Sequence, residues 1–448
     1  MKDLLSDVAA RAGRYLQELK ERPVAPSEEA LEGLAALDEP LPECPSAPEA
    51  VIDLLDRVGS PATMASAGGR FFGFVHGGSL PAALAANWLA GAWDQNAVLH
   101  VTSPITSRLE EVAQRWLTQV LDLPEDCGVA FVTGATMANF TGLAAARTAQ
   151  LHRVGWDVEA DGLFGAPPLT VVTSEETHPS VSKALGLLGL GRRRVIRAPV
   201  DDQGRMRADG LPRLTGPAIV CVQAGNVNTG SVDPVGEICE LARSAGAWVH
   251  VDGAFGLWAK SSPRLAPLVA GVEQADSWAT DAHKWLNVPY DSGLAFVRGS
   301  AHLSRAMALT AAYIPKGARR DPGQFTPELS RRARGVEVWA ALRSLGRTGL
   351  AEMIERTCGH ARRFADGLRS AGCEILNDVV LNQVLVSFGD AETTRRVIDR
   401  IQQEGVCWCG GTTWQGRVAM RISVSSWATT AEDVERSLEA ILRAFRQA

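Results

Sequence analysis

Short apolar runs alternate with helix-like stretches between about residues 90 and 300. Each run has the length of a β-strand and is followed by a polar or glycine-containing turn. The runs cover residues 129–133, 169–173, 194–198, 218–222, 247–251, 277–280 and 294–298. Strands that alternate with helices in this way are typical of parallel sheets with helices on both faces. The pattern therefore predicts an α/β fold with a mostly parallel, seven-stranded sheet.

The pattern changes toward both ends of the chain. Residues 334–370 predict long helices, 384–388 and 417–424 predict strands, and a closing helix begins near 430, so this part reads as a smaller α+β domain. Residues 2–20 predict an amphipathic helix, and the prolines scattered through 23–48 predict a connector. We predict an N-terminal helical and extended segment at 1–80, a large domain at 81–350 and a small domain at 351–448.

Composition narrows the class of protein. The chain has 448 residues, of which 46% are hydrophobic, so it can bury a large core. Its net charge of −6 offers no basic stripe for nucleic acid, and no apolar stretch reaches the length of a membrane span. The eight cysteines show no framework of paired spacings, and Cys407 and Cys409 are too close for a zinc knuckle. Together with an N-terminus that lacks a signal-peptide pattern, this predicts a reduced, cytoplasmic protein without a metal site.

Two strand ends carry the first candidate chemistry. Lys284 directly follows His283, comes after an apolar strand-like run and leads into an Asn/Pro/Asp turn, which is how a Schiff-base lysine is usually presented. Asp252 ends another buried run. A carboxylate there can keep the ring nitrogen of pyridoxal phosphate (PLP) protonated, which makes the ring an electron sink. The alternative for Asp252 is a helix cap, and most lysines are simply solvated.

Two further turns follow apolar runs. Gly134, Ala135 and Thr136 lie between such a run and a helix rich in alanine and leucine, where backbone N–H groups can cradle a phosphate. Such a turn is also often only an N-cap. His178 follows the next run and can lie flat on a cofactor ring, although a lone histidine after a strand is more often structural.

In the order phosphate turn, histidine, aspartate, lysine, the chain resembles the PLP-dependent amino-acid decarboxylases of the aromatic and glutamate decarboxylase superfamily (group II). The resemblance covers roughly residues 51–448 and is most specific from Asp252 to Lys284. It implies the PLP-dependent transferase fold of type I, similar to aspartate aminotransferase. It also implies PLP as cofactor, bound by the large domain, an amino-acid substrate, and a homodimer whose active sites lie at the subunit interface. In the family the N-terminal segment, here residues 1–80, packs on the partner subunit; the alternative is that it packs on its own chain.

The resemblance implies a role for each of these positions. Lys284 would form the Schiff base, Asp252 would pair with the pyridinium nitrogen, and His178 would stack on the ring. Ala254 would cover the other ring face, and His283 with the turn Gly134-Ala135-Thr136 would contact the phosphate. Asn226 would lie near the phosphate or the cofactor hydroxyl, with an ordinary Gly/Asn turn as the alternative.

The substrate pocket is implied less specifically. Phe74 and His76 would lie at its mouth, or belong to a plain strand and turn. Asn96 and Val98 would enter the neighbouring subunit's pocket, where the aromatic enzymes have bulkier apolar residues. Asp281 replaces the neutral amide of the aromatic enzymes, which we interpret as a side chain that turns away. We expect Arg421, on a late strand, to be structural.

The decisive position lies in a loop near residues 313–332. In the family, a tyrosine of this loop reaches in from the partner subunit and protonates the carbanion (quinonoid) carbon after CO2 leaves. Phe325 aligns nearest to it, and phenylalanine cannot donate a proton. Phenylalanine at this point goes with oxidative aldehyde synthases, which release aldehyde and ammonia. The alternatives are that Tyr313 or His76 supplies the proton and that Phe325 only anchors the loop.

The sequence therefore leaves four hypotheses. The first is PLP-dependent decarboxylation of an L-amino acid, aromatic or otherwise, to an amine and CO2. The second is an aldehyde synthase that consumes O2, and the third is an aminotransferase or lyase on the same fold. The fourth is a catalytically silent binding subunit.

Overall fold

A computed structural model describes residues 1–309 and 319–448. Its central element is a seven-stranded sheet in the order β1-β7-β6-β5-β4-β2-β3. The strands are β1 (Gly128–Val132), β2 (Thr170–Ser174), β3 (Ile196–Ala198), β4 (Ala218–Gln223), β5 (Trp248–Asp252), β6 (Ser277–Asp281) and β7 (Gly293–Val297). Only β7 runs antiparallel to its neighbours β1 and β6, whereas β6, β5, β4, β2 and β3 pair in parallel. The prediction of a mostly parallel α/β sheet is confirmed.

Helices cover both faces of this sheet, which explains why the strands are apolar along their whole length. One face carries α6, α8 and α10, and the other carries α5, α9 and the first part of α11. The helices are α1 (Lys2–Glu18), α2 (Glu28–Gly33), α3 (Pro48–Leu54), α4 (Pro81–Trp93), α5 (Pro104–Val120), α6 (Ala135–His152), α7 (Val158–Asp161), α8 (Pro179–Leu187), α9 (Val235–Ser244), α10 (Ser300–Met307), α11 (Gly335–Ser370), α12 (Ala391–Glu404) and α13 (Ala431–Arg446).

A second, antiparallel sheet lies toward the C-terminus. Its order is β10-β11-β9-β8, with β8 (Glu374–Ile375), β9 (Gln383–Ser387), β10 (Gly410–Trp414) and β11 (Arg417–Ser423). The end of α11 packs on it with α12 and α13 around Phe364, Val397 and Val434. The predicted boundary at residue 350 falls inside α11, shortly after Gly346 interrupts the helical backbone with a φ of 60°. The division of the chain at 350 stays a prediction.

The N-terminal segment reaches both sheets. Arg11 of α1 pairs with Asp53 and Asp56, yet no residue of α1 is buried. Further on, Phe72 bonds to the backbone of residues 408 and 423, so the segment 70–76 is attached to the small sheet. No helix in the described ranges is long and apolar enough to cross a membrane.

The topology places the predicted chemistry at one edge. In parallel strands the carboxyl ends lie together, and ligands bind at that edge. Ser174, Gln223, Asp252 and Asp281 are the last residues of β2, β4, β5 and β6. The turns that follow these strands therefore meet in one place.

Candidate active site

Lys284 is held by the aspartate that ends β6. Its Nζ lies 2.9 Å from Oδ2 of Asp281, whose other oxygen accepts the backbone N–H of Ala135 at 2.5 Å and lies 3.4 Å from Nε2 of His283. Asp281 is only 3% exposed. The expectation that this side chain turns away is therefore wrong, because it is fixed by both the lysine and the first turn of α6.

The predicted phosphate turn adjoins the same residues. Gly134 precedes α6 in extended conformation, and the first-turn amides of a helix have no partner within the helix. A Cβ on Gly134 would lie 3.1 Å from Cε1 of His283, and a Cβ on Gly293 would overlap the Cα of Gly134. The turn Gly134-Ala135-Thr136 and His283 are thus brought together, although Asp281 already occupies the amide of Ala135.

His283 is oriented by its neighbours. Its Nδ1 accepts the backbone N–H of Ser292 at 3.0 Å, so Nε2 carries the proton and points toward Asp281. Its ring stacks on Tyr290 with centroids 4.2 Å apart. Burial lowers the pKa of His283, which Asp281 partly opposes, so the imidazole is neutral near pH 7.

An aromatic wall stands next to Lys284. The ring of His76 lies 5.3 Å from Tyr290 and 5.1 Å from Phe71, which stacks on Trp408 at 5.0 Å. Burial lowers the pKa of His76, with His283 and Lys284 contributing to the shift. Phe74 is 63% exposed and contacts Trp408 at 5.3 Å. This segment lies against the lysine, since a Cβ on the adjoining Gly77 would overlap the carbonyl of Lys284.

Asp252 is buried and surrounded by donors. Oδ1 accepts the N–H of Ala254 at 3.2 Å. Oδ2 accepts from Nδ2 of Asn139 at 3.2 Å and from the hydroxyl of Ser180 at 3.4 Å. Oδ1 therefore binds a backbone N–H two residues further along the chain, as a capping aspartate would. The helix-cap alternative explains this oxygen but not Oδ2. The other oxygen belongs to a network that joins three elements.

His178 both caps α8 and faces this network. Its Nδ1 accepts the N–H of Ser180 at 3.2 Å and lies 2.8 Å from the Ser180 hydroxyl, so the ring proton is on Nε2. Burial lowers the pKa of His178; Asp252 opposes the shift and Lys284 adds to it. The structure therefore brings together the three residues predicted to be catalytic.

Arg421 of β11 is also close enough to lower the pKa of His178. Burial lowers its own pKa to about 10, and within the described chain it forms no ion pair and its Nε is buried without a partner. A guanidinium with a buried, unpaired Nε and no anion beside it is costly unless a ligand supplies the anion. This argues against the purely structural role expected from the sequence.

Of the remaining predicted residues that the structure describes, only Ala254 forms a hydrogen bond with Lys284 or Asp252. Asn226 uses Oδ1 to bind the N–H groups of Asn228 and Thr229, while its Nδ2 is buried without a partner in the described ranges. Asn96 bonds to Ser330 and Arg331. These contacts fit the ordinary-turn alternative for Asn226 and tie Asn96 to the loop before α11.

Val98 and Phe325 belong to the same loop region. The carbonyl of Val98 accepts the N–H of Gly323 at 2.8 Å. Phe325 packs on the core beneath α6 and α10, and the guanidinium of Arg320 lies 4.4 Å from its ring centre. Tyr313 lies outside the described residues.

Sequence reasoning missed several contributors, namely Asn139, Ser180, Asp281 and Tyr290. Asn139 was detectable as a polar residue inside the apolar stretch of α6, one turn after the phosphate turn. Ser180 and Tyr290 stand within a few residues of predicted site residues, but no spacing rule gives the direction of their side chains.

These residues fit PLP. Lys284 offers an amine, Asp252 an acceptor for a ring N–H, and the start of α6 amide donors for a phosphate. Nδ1 of His76 and Nε of Arg421 are buried without partners among the described residues, as expected where a polar ligand belongs. No group of three or more metal-ligating side chains is found in residues 1–309 and 319–448.

Comparison with known proteins agrees with this geometry. The model of the pyridoxal-dependent decarboxylase conserved domain matches residues 33–389. Aromatic-L-amino-acid decarboxylase of Bacillus atrophaeus is 27% identical over 444 residues, covering 94% of this chain and 90% of that protein. Tryptophan decarboxylase 1 of Oryza sativa subsp. japonica is 29% identical over 415 residues, covering 83% and 79%.

Solved structures share the fold. Oryza sativa TDC, solved with PLP and tryptamine, superposes with a TM-score of 0.91 at 24% identity, covering 100% of this chain and 97% of that one. Rhodiola rosea 4-hydroxyphenylacetaldehyde synthase superposes with a TM-score of 0.87 at 23% identity, covering 100% and 98%. The chain belongs to the pyridoxal-dependent decarboxylase family. It is a PLP-dependent carboxy-lyase that acts on amino acids, with the type I fold.

Proposed function

We propose that this enzyme decarboxylates an L-amino acid with an aromatic side chain and releases the amine. The observation that carries the substrate class is the aromatic wall beside Lys284, formed by Phe71, Phe74, His76, Tyr290 and Trp408. Flat rings favour offset or tilted packing against other rings, and Phe74 and Tyr290 expose ring surface for it. Aromatic and tryptophan decarboxylases among the relatives support the same class.

The charged groups suit the rest of the substrate. Lys284 supplies the amine that binds PLP, and bound PLP supplies a ring that accepts the electron pair left when CO2 departs. Asp252 accepts the ring N–H. The neutral His178, with its proton on Nε2, covers the ring, and Arg421 holds the amino-acid carboxylate in a bidentate pair.

We propose Tyr313 as the residue that returns the proton, and Phe325 as a loop anchor. The aldehyde-synthase hypothesis requires the ring of Phe325 to face the reacting carbon of the substrate. Its contacts with Arg320 and with the core under α6 favour the anchor alternative. Because the ring contacts its own chain, the argument for the oxidative reaction loses its main support.

A product screen tests the reaction. The purified enzyme is incubated with PLP and each L-amino acid, in air and under nitrogen, while mass spectrometry follows products and an electrode follows O2. We expect amine and CO2 in equal amounts from aromatic substrates, with no O2 consumed. Lys284→Arg is the inactive control, and Lys260→Arg, a buried lysine paired with Glu273, should stay active. Aldehyde with O2 consumption, or 2-oxo acid, would contradict the proposal.

The proton donor is tested separately. Tyr313→Phe should leave substrate binding intact but lower amine formation about 100-fold, because general acid catalysis contributes roughly 10²–10⁴-fold. Because no group then returns the proton, the carbanion should react with O2, and aldehyde should be detected. Phe325→Leu is the matched control and should form amine at nearly the parental rate. If Phe325→Leu shifts the product and Tyr313→Phe does not, the two roles are assigned the wrong way round.

A further inference from the structure

Polar side chains continue from Asp252 into the apolar core. β5 has the sequence Trp248-Val249-His250-Val251-Asp252, and all five residues are buried. Because side chains alternate along a strand, the tryptophan, histidine and aspartate share one face while the two valines pack on the other. Burying an imidazole and a carboxylate in this way is costly unless each polar atom is paired.

Each of these polar atoms is paired, and the pairs form one continuous path. Nε1 of Trp248 donates to Oγ of Ser277 at 2.8 Å, and the same Oγ lies 2.8 Å from Nδ1 of His250. Nε2 of His250 lies 2.8 Å from Oδ1 of Asn139. Nδ2 of Asn139 then donates to Oδ2 of Asp252 at 3.2 Å. His250, Asn139 and Ser277 have no exposed surface.

The tryptophan end of the path fixes one bond only. An indole N–H can only donate, so one lone pair of the Ser277 oxygen accepts it. The hydroxyl keeps its own proton and a second lone pair, so this end alone allows either tautomer of His250.

The aspartate end fixes the direction of the rest of the path. A carboxylate only accepts, so Asn139 must present its NH2 group to Asp252 and its carbonyl to His250. That carbonyl also only accepts, so the imidazole proton is on Nε2 and the Ser277 hydroxyl donates to Nδ1. Burial lowers the pKa of His250 to about 3, so the ring stays neutral, as the path requires. Gly142 on α6 makes room for it, since a Cβ there would lie 2.8 Å from Cε1 of His250.

We propose that this directed hydrogen-bond chain is a positioning device for the cofactor. It consists of the side chains of Trp248, Ser277, His250 and Asn139. By presenting only donors to Asp252, it keeps the carboxylate free to accept the ring N–H of PLP and unable to pass a proton onward. His250 and Asn139 thereby act on the electron-accepting strength of the ring without touching it. This inference rests on the proposed pairing of Asp252 with the ring nitrogen.

Asn139→Asp is the most direct test because it preserves shape. The new carboxylate can still accept from His250, but it presents an acceptor where Asp252 needs a donor, so the two acids compete for one proton. With isotope-labelled PLP, the NMR shift of the ring nitrogen should move toward the unprotonated form. We expect kcat to fall about 10- to 100-fold, by analogy with the loss seen when the hydrogen-bond partner of a metal ligand is removed.

Ser277 offers a milder variant with its own rescue. Ser277→Ala removes the hydroxyl that donates to Nδ1 of His250, so the ring-nitrogen shift and the absorption spectrum of bound PLP should change in the same direction but less. Ser277→Thr keeps the hydroxyl and should restore both signals. Ser261→Ala is the matched control, because it removes one buried hydrogen bond of a serine, to the carbonyl of Trp258, outside the path.

Asp252→Asn distinguishes a failure of the directed hydrogen-bond chain from a failure of the proposed pairing between Asp252 and PLP. If Asp252→Asn changes the ring-nitrogen signal while Asn139→Asp and Ser277→Ala leave it at the parental position, the directed chain is refuted and Asp252 keeps its role. If Asp252→Asn also leaves the signal unchanged, the pairing of Asp252 with PLP is wrong. Loss of thermal stability in Ser277→Ala without any change in the cofactor signals would show a merely structural network, which also overturns the proposal.

Discussion

At the scale of single residues, the site is defined by which polar atoms have hydrogen-bond partners and which do not. The sequence indicated Lys284, Asp252 and His178, because each follows an apolar strand and strand ends converge in this fold. It gave the wrong orientation for Asp281, since a family comparison shows which residue type is unusual but not where its side chain points. The contacts with Ala135 and Lys284 supply that information.

Asp281 gives a prediction about cofactor affinity. Its carboxylate lies at the start of α6, where the phosphate is expected, and it also holds the amine that PLP must capture. Two like charges about 5 Å apart repel by roughly 3 kcal/mol at an effective dielectric constant near 20. Asp281→Asn should therefore bind PLP at least about 10-fold more tightly, measured by equilibrium dialysis.

Asp276→Asn is the control for this change. Asp276 directly precedes β6 at the opposite end of the strand and accepts the N–H of Val249 at 2.8 Å. Its substitution should leave the dissociation constant of PLP unchanged. Weaker PLP binding by Asp281→Asn would instead mean that the carboxylate supports the site, for instance by orienting His283.

His250 gives a prediction about stability and pH. Its pKa is about 3 in the folded protein, below the ordinary value of 6.5, so below pH 6.5 only the unfolded chain takes up the proton. This group therefore stabilises the fold fully above pH 6.5 and progressively less toward pH 3. Between pH 7 and pH 5 its contribution should fall by about 2 kcal/mol.

Denaturant unfolding of His250→Asn at both pH values measures this contribution. The gap in unfolding free energy between parent and variant should narrow by about 2 kcal/mol at pH 5. The exposed His152, changed to Asn, should show no such narrowing. An unchanged gap would mean that the folded protein accommodates a charged His250.

At the scale of elements, hydrophobic patterning predicted all seven strands of the large sheet to within about two residues. It also predicted β9, β11, α11 and α13. It missed β10, whose sequence Gly-Gly-Thr-Thr-Trp carries little apolar signal, and the two-residue β8. The antiparallel direction of β7 was not predictable either, because strand direction depends on long-range pairing.

The junction of β7 with the phosphate turn gives a prediction at this scale. Gly293 pairs with Val132, and a Cβ on it would overlap the Cα of Gly134. Backbone cannot move aside as a side-chain tip can, so Gly293→Ala should displace the start of α6. We expect PLP affinity to fall at least about 10-fold and stability to fall by roughly 1–3 kcal/mol.

Gly359→Ala in α11 is the matched control for Gly293→Ala. A Cβ there meets nothing within 4 Å, and alanine favours a helix over glycine by up to about 1 kcal/mol. This variant should be as stable as the parent or more stable, with unchanged PLP affinity by the same titration. Parental affinity in Gly293→Ala would show that the turn does not bind the phosphate.

At the scale of the whole molecule, the single chain accounts for the cofactor side of the site and for the aromatic residues beside Lys284, but not for every residue predicted to line the substrate pocket. Asn96 and Val98 bond to their own loop region, and Phe325 packs on Arg320 and on the core under α6. Sequence patterning cannot assign such residues, because their role depends on which subunit they face. We propose that the chain forms a homodimer in which these residues face the site of the partner subunit.

The surface beside these residues supports the proposed homodimer. Trp88, Leu89 and Trp93 on α4 are 43%, 55% and 40% exposed, and Val101 and Ile105 nearby are 66% and 45% exposed. Contiguous exposed apolar side chains of this size mark interaction surfaces. Asn96 and Val98 lie between α4 and α5, so a partner seated here would receive them next to its own site.

Leu89→Arg tests this interface by placing a charge at the centre of the exposed apolar face of α4. A buried, unpaired charge costs several kcal/mol, so light scattering should show a dimer for the parent and a monomer for the variant at micromolar concentration. Leu241→Arg on α9, 46% exposed in the parent, should remain dimeric. The monomer should still bind PLP through Lys284 but lose most activity, because we propose that the proton donor, like the tyrosine of the family, is supplied by the partner subunit. If Leu89→Arg remains dimeric, the interface lies elsewhere. If the monomer is fully active, the proton donor belongs to the same chain as Lys284.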